Sequence, residues 1–542
     1  MFYTRGRHSL KFGGLINRFQ QFTNNGTNSR GAITFANINS FLLGQPASFR
    51  AVTPGSNLTR TYHYTTLGFY GQDDWRVSSG LTLNLGLRYE FLTQPQEVQG
   101  FSAALRDIQH DANTTLGPAF ENPSLRNLSP RLGFAWDVRG DGKTALRGGF
   151  GLLYDIGNLG NALSAGAGAT PPFAALSTVS LTTPTPLVLP LTFPDSAAGK
   201  ALRTVDYLLQ QPHMLQYNLT VDRQLPLNMA VALAYAGSRG LNLIQTKEGN
   251  PTVPQVLANG SQFWPANAPR TNPNWTSIEL KTGAGNSWYN SLQLGLSKRL
   301  GKGLQFQSSY TWSKVLDETQ GQLGVDNNAS STFGSDPTHR SADKGPASFD
   351  AAHNWRFNAI YRLPEFSSAG RVTGKLLNGW WISGILSLQT GYPFTPALQT
   401  NRSRSGVNGG GAGIDRPDLV PGRSNDNIIL GGADRYYDPR AFTVPALGFL
   451  GNLGRNTLRG PGFANLDFSL VKDTSLRFLG ESGKLEFRAE FFNILNRVNF
   501  DMPSRTVFAA RADLESPLSD AGRITNTSGS SRQIQLALKM LF

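Results

Sequence analysis

The chain ends in Gln533-Ile534-Gln535-Leu536-Ala537-Leu538-Lys539-Met540-Leu541-Phe542, and this stretch decides the fold. Every second side chain is large and apolar, and most of the residues between them are polar. The apolar set is Ile534, Leu536, Leu538, Met540 and Phe542. Side chains of a β-strand point alternately to opposite faces of the sheet. The pattern therefore predicts a strand with one apolar face and one polar face.

The same alternation recurs along the whole chain. Between Leu81 and Phe91, for example, leucine and aromatic side chains alternate with small and polar ones. We predict about fourteen strands, which cover residues 9–19, 62–76, 80–93, 128–138, 143–155, 214–225, 228–237, 287–300, 303–313, 353–363, 378–391, 461–473, 482–496 and 530–542.

The connections between the predicted strands alternate between short and long. Short turns are expected around Ser78-Ser79-Gly80, Arg139-Gly140-Asp141-Gly142, Pro226-Leu227 and Gly301-Lys302, with medium connections at 364–377 and 474–481. The other connections are long and rich in Gly, Pro, Asn and Ser. Membrane barrels of the outer-membrane type have short periplasmic turns and long extracellular loops. We therefore predict an all-β protein, an antiparallel transmembrane β-barrel meander with both chain ends on the periplasmic side.

A barrel also satisfies the hydrogen-bonding demands of lipid. Lipid offers no partners to backbone groups, so a sheet crosses it only as a closed barrel without edges. Aromatic side chains are expected where the apolar band meets the headgroups. Candidates near strand ends are Tyr62, Tyr64, Trp75, Tyr89, Trp136, Trp288, Tyr289, Trp312, Trp380, Trp381 and Tyr392.

The composition excludes several classes of function. Among 542 residues there is no cysteine, which rules out thiol catalysis, zinc–thiolate sites and iron–sulfur clusters. The formal charge of +14 comes from Arg and Lys scattered over strands and loops, without the basic clusters interleaved with aromatics that bind nucleic acid. We expect this charge to line the lumen and to face lipopolysaccharide.

Several stretches resemble the barrels of Oar-like TonB-dependent receptors. They are Gly6-Arg7-His8-Ser9-Leu10-Lys11-Phe12-Gly13-Gly14, Phe69-Tyr70-Gly71-Gln72-Asp73-Asp74-Trp75-Arg76-Val77, Leu128-Ser129-Pro130-Arg131-Leu132-Gly133-Phe134-Ala135-Trp136, Lys143-Thr144-Ala145-Leu146-Arg147-Gly148-Gly149-Phe150-Gly151 and Phe487-Arg488-Ala489-Glu490-Phe491-Phe492-Asn493-Ile494-Leu495-Asn496. The terminal alternation that closes on Phe542 is similar to the assembly signal of outer-membrane proteins, which the barrel-insertion machinery reads.

The resemblance implies a larger protein. Receptors of this kind carry a signal peptide, a carboxypeptidase-regulatory-like domain, a TonB box, a plug and a 22-strand barrel. Residues 1–542 have room only for about the last fourteen strands, so we expect a single partial barrel domain that lacks those other parts. TonB would then act only through the missing N-terminal part.

No pattern in the chain indicates an enzyme or a cofactor. Gly142-Lys143-Thr144 lacks the preceding glycine of a phosphate-binding loop, and Asp137 with Asp141 lacks the spacing of a calcium loop. The six histidines share no metal-ligand spacing. Charged residues at polar positions of strands are candidates for the lumen face, and these are Arg88, Glu90, Glu486, Arg488 and Glu490.

The prediction that follows is a bacterial outer-membrane barrel that takes up or binds an unidentified substrate. Its expected partners are outer-membrane lipid and lipopolysaccharide, the insertion machinery, the substrate and, indirectly, TonB. Two alternatives stay open. One is a surface protein that does not transport actively, such as an adhesin or a passive porin, and the other is a soluble all-β binding protein.

Overall fold

A computed structural model describes the chain apart from residues 27, 36–37, 47, 123, 158, 181–199, 319–330, 367–370, 410–413, 477–479 and 481–482. Fourteen long strands form its framework. They are β1 His8–Asn24, β2 Thr59–Arg76, β3 Leu81–Leu92, β4 Leu128–Asp137, β5 Thr144–Tyr154, β6 His213–Leu225, β7 Met229–Glu248, β8 Ser277–Gly301, β9 Leu304–Asp317, β10 His353–Arg362, β11 Trp380–Gln389, β12 Phe463–Ser475, β13 Lys484–Phe492 and β14 Gln533–Leu541.

The long strands form one antiparallel meander in chain order. Each pairs with the next, from β1 with β2 through to β13 with β14. A short strand, Phe2–Arg5, pairs with the start of β1. Within the described part of the chain, no ladder joins β14 to β1. The predicted all-β antiparallel fold is confirmed, and the total of 22 strands stays a prediction.

The register keeps the two faces of the sheet separate from strand to strand. Asn218 pairs with Ala236, and Ala236 pairs with Ser291, which places small and polar residues side by side. On the other face Leu233 pairs with Val221 and with Leu294. Because side chains alternate along each strand, a single-residue slip at any ladder would mix the two sets. The sheet therefore has one continuous polar face and one continuous apolar face.

Short and long connections alternate as predicted. The shorter connections between consecutive long strands are residues 77–80, 138–143, 226–228, 302–303, 363–379 and 476–483. Lys302 and Gly303 both have positive φ, as a two-residue hairpin turn of type I′ requires. A Cβ on Gly303 would lie 2.5 Å from the carbonyl oxygen of Arg362, so a residue with a side chain would clash at this position.

Two strands are much longer than the sequence pattern predicts. The alternation ends near residue 237 in β7 and begins near 287 in β8, yet the ladder between these strands continues to the pair Glu248 and Glu279. A register shift near Leu243 interrupts it. Beyond Leu243, apolar and polar residues no longer alternate in β7 and β8, because loops cover both sides of this part of the hairpin. Ile278, Leu280 and Thr246 are therefore all buried. Both ends of the predicted loop 238–286 therefore belong to a hairpin arm, and residues 249–276 remain as the connection.

Shorter elements lie in the connections. The short strands are Ala32–Thr34, Ser48–Val52, Gln96–Glu97, Ala103–Ala104, Thr115–Leu116, Leu176–Ser180, Ala201–Val205, Gln255–Val256, Gln262–Phe263, Gly345–Pro346, Pro393–Phe394, Ala397–Leu398, Asp418–Leu419, Phe442–Thr443, Leu458–Arg459 and Thr506–Phe508. The α-helices are Ile38–Leu42, Gly160–Gly168 and Arg371–Leu377, and the 3₁₀ helices are Arg340–Asp343, Val407–Gly409 and Pro439–Ala441. Among the described residues, no helix is long and apolar enough to span a membrane.

The buried apolar clusters lie mainly in the long connections, which we call the loop layer: residues 25–58, 93–127, 155–212, 249–276, 318–352, 390–462 and 493–532. The largest cluster joins two of these connections through Phe394, Tyr437, Phe442, Leu458 and Phe508. A second packs Phe120 and Leu163 against Tyr62 and Tyr64 of β2. Burial of apolar surface is the main favourable term in folding. The long loops therefore form a packed layer over one end of the sheet.

The aromatic residues predicted for the two membrane boundaries divide between the faces. Trp75, Trp136, Trp312 and Trp380 lie on the apolar face toward strand ends, where a girdle is expected. Trp288 lies on the same face, near the middle of the extended strand β8. Tyr62, Tyr64, Tyr289 and Trp381 lie on the polar face instead. Position near a strand end does not reveal the face, and only the register decides it.

Candidate functional site

The predicted lumen residues lie at polar-face positions, in two groups. In β3, Arg88 Nη2 lies 2.5 Å from Glu90 Oε1. In β13, Arg488 donates to Glu486 from Nε at 2.8 Å and to Glu490 from Nη1 at 3.1 Å. Among the described residues, no hydrogen bond or ion pair joins the two groups. Each is a local arrangement along one strand, and their role in a lumen stays a prediction.

The terminal strand β14 presents the predicted assembly residues on the apolar face. Ile534, Leu536, Leu538, Met540 and Phe542 are all exposed. Within the described residues β14 pairs only with β13, through contacts such as Leu536 with Ala489. Nothing in this geometry tests recognition by the insertion machinery, so the assembly signal stays a prediction.

The acidic residues considered for a metal serve other purposes. The Asp137 carboxylate accepts hydrogen bonds from the backbone N–H groups of Gly140 and Gly142 at 3.0 and 2.8 Å. Asp74 binds Lys11 on the polar face, whereas Asp73 binds His8 on the apolar face. The described residues contain no cluster of acids or histidines able to hold a metal ion.

Sequence reasoning missed a set of ion pairs that join the loops to one another. Four arginines of the connection 390–462 each meet an aspartate of another segment. The pairs are Arg402 with Asp513, Arg416 with Asp343, Arg455 with Asp317, and Arg459 with Asp350. Three of the aspartates lie in β9 or in the connection that follows it. The only sequence signal was arginine inside Gly- and Pro-rich loops, and it does not indicate the partners.

Beneath the loop layer, a cavity of about 790 Å³ opens on the polar face. Strands β7 to β10 supply one wall, with hydroxyl, amide and aromatic side chains: Ser238, Ser287, Tyr289, Thr311, Ser313 and Asn354. The loop layer supplies the other wall through Asp155, Pro212, Phe349 and Ala351. No Lys or Arg side chain of the described residues lines it. Its size and its mixture of aromatic and hydrogen-bonding groups suit a small-molecule ligand.

Arg455 connects this cavity to the loop layer. Its guanidinium lies 2.5 Å from the carboxylate of Asp317, which lines the cavity at the end of β9. It also donates to the carbonyl oxygens of Asp317 and Asp343 at 2.9 and 3.1 Å. Arg455 is only 2% exposed. A buried cation of the connection 390–462 thus joins the rim of the cavity at Asp317 to Asp343 of the connection 318–352.

A second, smaller recess of about 460 Å³ lies on the polar face nearer the short turns. Small side chains form its floor, including Ala145, Ala230, Ala232 and Gly295. At its edge Arg147 lies 3.6 Å from Asp222. A floor of small residues lets another element approach the sheet closely, so the recess offers space for such an element against the polar face.

Asp415 is the most perturbed carboxyl group of the loop layer. Burial raises its pKa to about 6. It accepts hydrogen bonds from the backbone N–H and the hydroxyl of Ser403 at 2.6 and 3.0 Å, and from Asn401 Nδ2 at 3.0 Å. These bonds offset only part of the cost of burying the charge.

This pKa predicts a pH-dependent loop layer. Because the folded pKa lies above the ordinary value near 4, Asp415 stabilises fully below pH 4, and that contribution is lost as pH rises through 6. The change is on the order of 3 kcal/mol. We expect Asp415→Asn to remove this part of the difference in melting temperature between pH 4 and 7.5. Asp434→Asn, an exposed carboxylate of the same connection, serves as the control. An unchanged difference in Asp415→Asn would contradict the assignment.

This architecture is similar to that of known outer-membrane proteins. Residues 1–535 match the family model described as outer membrane beta barrel domain. Among solved structures, the outer membrane transporter YddB from Escherichia coli is 12% identical, with a TM-score of 0.51, over 99% of this chain and 52% of that one. The FrpB iron transporter from Neisseria meningitidis (F3-3 variant) is 14% identical, with a TM-score of 0.42, over 99% and 53%. The ferric-catecholate import receptor Fiu of E. coli is 10% identical, with a TM-score of 0.43, over 100% and 53%.

These likenesses concern the fold. The chain spans about half the length of the solved structures that it resembles. No curated protein matches the sequence. The solved structures are outer-membrane transporters and receptors rather than enzymes.

Proposed function

Because this chain belongs to the outer membrane beta barrel domain family, we propose that it is the membrane-embedded part of a receptor that takes up a substrate with energy passed on by TonB. It lies in the bacterial outer membrane and is not an enzyme. Coupling to TonB would be a property of the whole receptor.

The observation that carries the proposal is the cavity between the polar face and the loop layer. A passive porin needs an open passage past its loops, whereas here the loops pack into a layer with its own apolar core. An adhesin needs an outer surface and no cavity beneath it. A cavity with one wall on rigid strands and the other on the loops suits capture of a ligand that arrives from outside.

Tyr289 and Asn354 are the residues proposed to contact the substrate. Tyr289 of β8 presents an aromatic ring and a hydroxyl on the polar face. Asn354 of β10 pairs with Thr311 of β9 on the same face. Aromatic residues in the centre of a binding site often contribute most of the affinity. The lining offers a substrate hydroxyl groups, an amide, two aromatic rings and the carboxylates of Asp155 and Asp317, without cations among the described residues.

The absence of native cysteines allows a direct binding test. Thr311→Cys, labelled with an environment-sensitive dye in the whole receptor, reports on the cavity while fractions of spent culture medium are added. We expect one fraction to give saturable fluorescence changes, and Tyr289→Ala to weaken that binding about tenfold or more. Tyr235→Ala, a tyrosine on the apolar face of the neighbouring strand, is the matched control and should leave binding unchanged.

Uptake of the same fraction then separates receptor from porin or adhesin. Accumulation that disappears in a strain without TonB supports the proposal. Saturable binding with no accumulation favours an adhesin, and accumulation that is independent of TonB favours a porin. Either of these results, or equal binding by Tyr289→Ala and the parent, would overturn the assignment.

A further inference from the structure

A cluster of cations surrounds one tryptophan on the apolar face, at the end of the sheet next to the loop layer. Arg239 of β7 pairs directly with Trp288 of β8, and its guanidinium carbon lies 3.8 Å from the centroid of that ring. Nζ of Lys344 lies 4.0 Å from the same centroid. Lys314 of β9 pairs with Asn290, which is the next position on the same face toward the apolar band. We call Arg239, Trp288, Lys314 and Lys344 the Trp288 cluster.

Among the described residues, no ion pair joins an acid to any of the three cations of the cluster. Arg239 Nη1 is buried and has no hydrogen-bond partner among the described residues. Glu318, at this end of β9, already binds Arg340 at 3.0 Å and Asn286 at 2.8 Å. Asp343, next to Lys344 in the chain, is paired with Arg416. Like charges held around one ring repel each other, and an anion between them would remove that cost.

The cluster also lies at one boundary of the apolar band. On the same face of β8, Lys298 marks the opposite boundary, eight positions along the strand from Asn290. Eight positions of strand span about 27 Å, which at a tilt of about 40° is about 21 Å across the membrane, most of the ~25 Å apolar band of a membrane barrel. Between them, Leu292 and Leu294 are exposed. Because the loop layer is extracellular in such barrels, the cluster faces the headgroups of the outer leaflet.

We propose that the Trp288 cluster binds the phosphate groups of a phosphorylated glycolipid of the outer leaflet, of the lipopolysaccharide class. Arginine and lysine bind phosphate through charge-assisted hydrogen bonds, and cations beside a membrane each attract anionic headgroups. The occupant is an amphiphile rather than a soluble anion, because the surface that continues from the cations is the exposed leucine band. Acyl chains cover Leu292 and Leu294 while the phosphates meet Arg239, Lys314 and Lys344. The inference does not depend on the proposed uptake function.

Native mass spectrometry of the whole protein in detergent tests this site with defined probes. They are lipid A with two phosphates, the same lipid A with both phosphates removed, and inorganic phosphate. We expect the bisphosphorylated lipid to bind, the dephosphorylated lipid to bind at least tenfold more weakly, and inorganic phosphate not to compete. Equal binding of the two lipids, or full competition by inorganic phosphate, would overturn the proposal without any mutation.

The double substitution Arg239→Gln and Lys344→Gln tests the residues. We expect it to weaken bisphosphorylated lipid A binding about 25-fold, a factor of about five for each cation removed. Lys298→Gln, the cation on the same face at the opposite boundary, is the matched control and should bind as the parent does. Heat-modifiable mobility on gels verifies that each variant is folded. Equal weakening in Lys298→Gln, or parental affinity in the folded double variant, would count against the site.

Discussion

Arg455→Ala is expected to loosen the loop layer by about 3–5 kcal/mol while leaving the strands folded. Arg455 is almost fully buried and contacts both the carboxylate of Asp317 and the carbonyl of Asp343. Removing the guanidinium leaves the Asp317 carboxylate buried beside the cavity without its cation. Protease cleavage of residues 390–462 in the folded protein, measured by mass spectrometry over time, checks the result.

A similar ion pair on the surface provides the control for this prediction. Arg423 is 41% exposed on its side chain and lies 3.2 Å from Asp438 in the same connection. Exposed pairs contribute about 1 kcal/mol or less, so Arg423→Ala should leave the cleavage rate almost unchanged. If Arg455→Ala and Arg423→Ala accelerated cleavage equally, the buried ion pairs would not be what fixes the loop layer.

Leu294→Arg is expected to destabilise the barrel by about 2–4 kcal/mol, because it places a charge at the middle of the lipid-facing band. Leu294 is 44% exposed on the apolar face and lies midway between the levels of Lys298 and Asn290. Gln293→Arg, one residue away on the polar face, should cost far less. Urea titration of the protein in lipid vesicles measures both free energies of unfolding.

Leu294 suits this test because no charged residue of a neighbouring strand pairs with it, in contrast to Leu85 of β3. On the apolar face Leu85 pairs directly with Asp73, whose carboxylate would compensate an introduced arginine. Leu294 has Leu233 and Tyr310 beside it and no acid. Equal costs for Leu294→Arg and Gln293→Arg would mean that the faces of the sheet are assigned the wrong way round.

Most of the framework could be predicted from the sequence. Alternation located all fourteen long strands, and connection length separated the turn end of the sheet from the loop end. Both signals are local: a strand that borders lipid on one face must alternate, and a hairpin turn must be short. Arg88 with Glu90, and Arg488 with Glu486 and Glu490, could be selected as polar-face residues for the same reason.

The loop layer could not be predicted in this way. Its strand extensions, such as Gln245–Glu248 of β7 paired with Glu279–Thr282 of β8, carry no alternation, because they are covered by other loops on both faces. Its ion pairs join residues that are far apart in the chain, as Arg402 and Asp513 are. Nothing in either neighbouring sequence selects the partner, because the contact exists only once several loops have packed together.

By itself, the sequence determined a sheet with two faces, its order of strands and the side on which the loops lie, because period-two alternation and connection length are properties of adjacent residues. Tertiary structure alone decided where the cavity lies and which cations share a ring. Tyr289 and Trp288 are neighbours in the chain, yet the register turns Tyr289 toward the cavity and Trp288 toward Arg239 and Lys344. Those sites depend on distances between strands and loops, and such distances are fixed only when the whole sheet and its loop layer are folded.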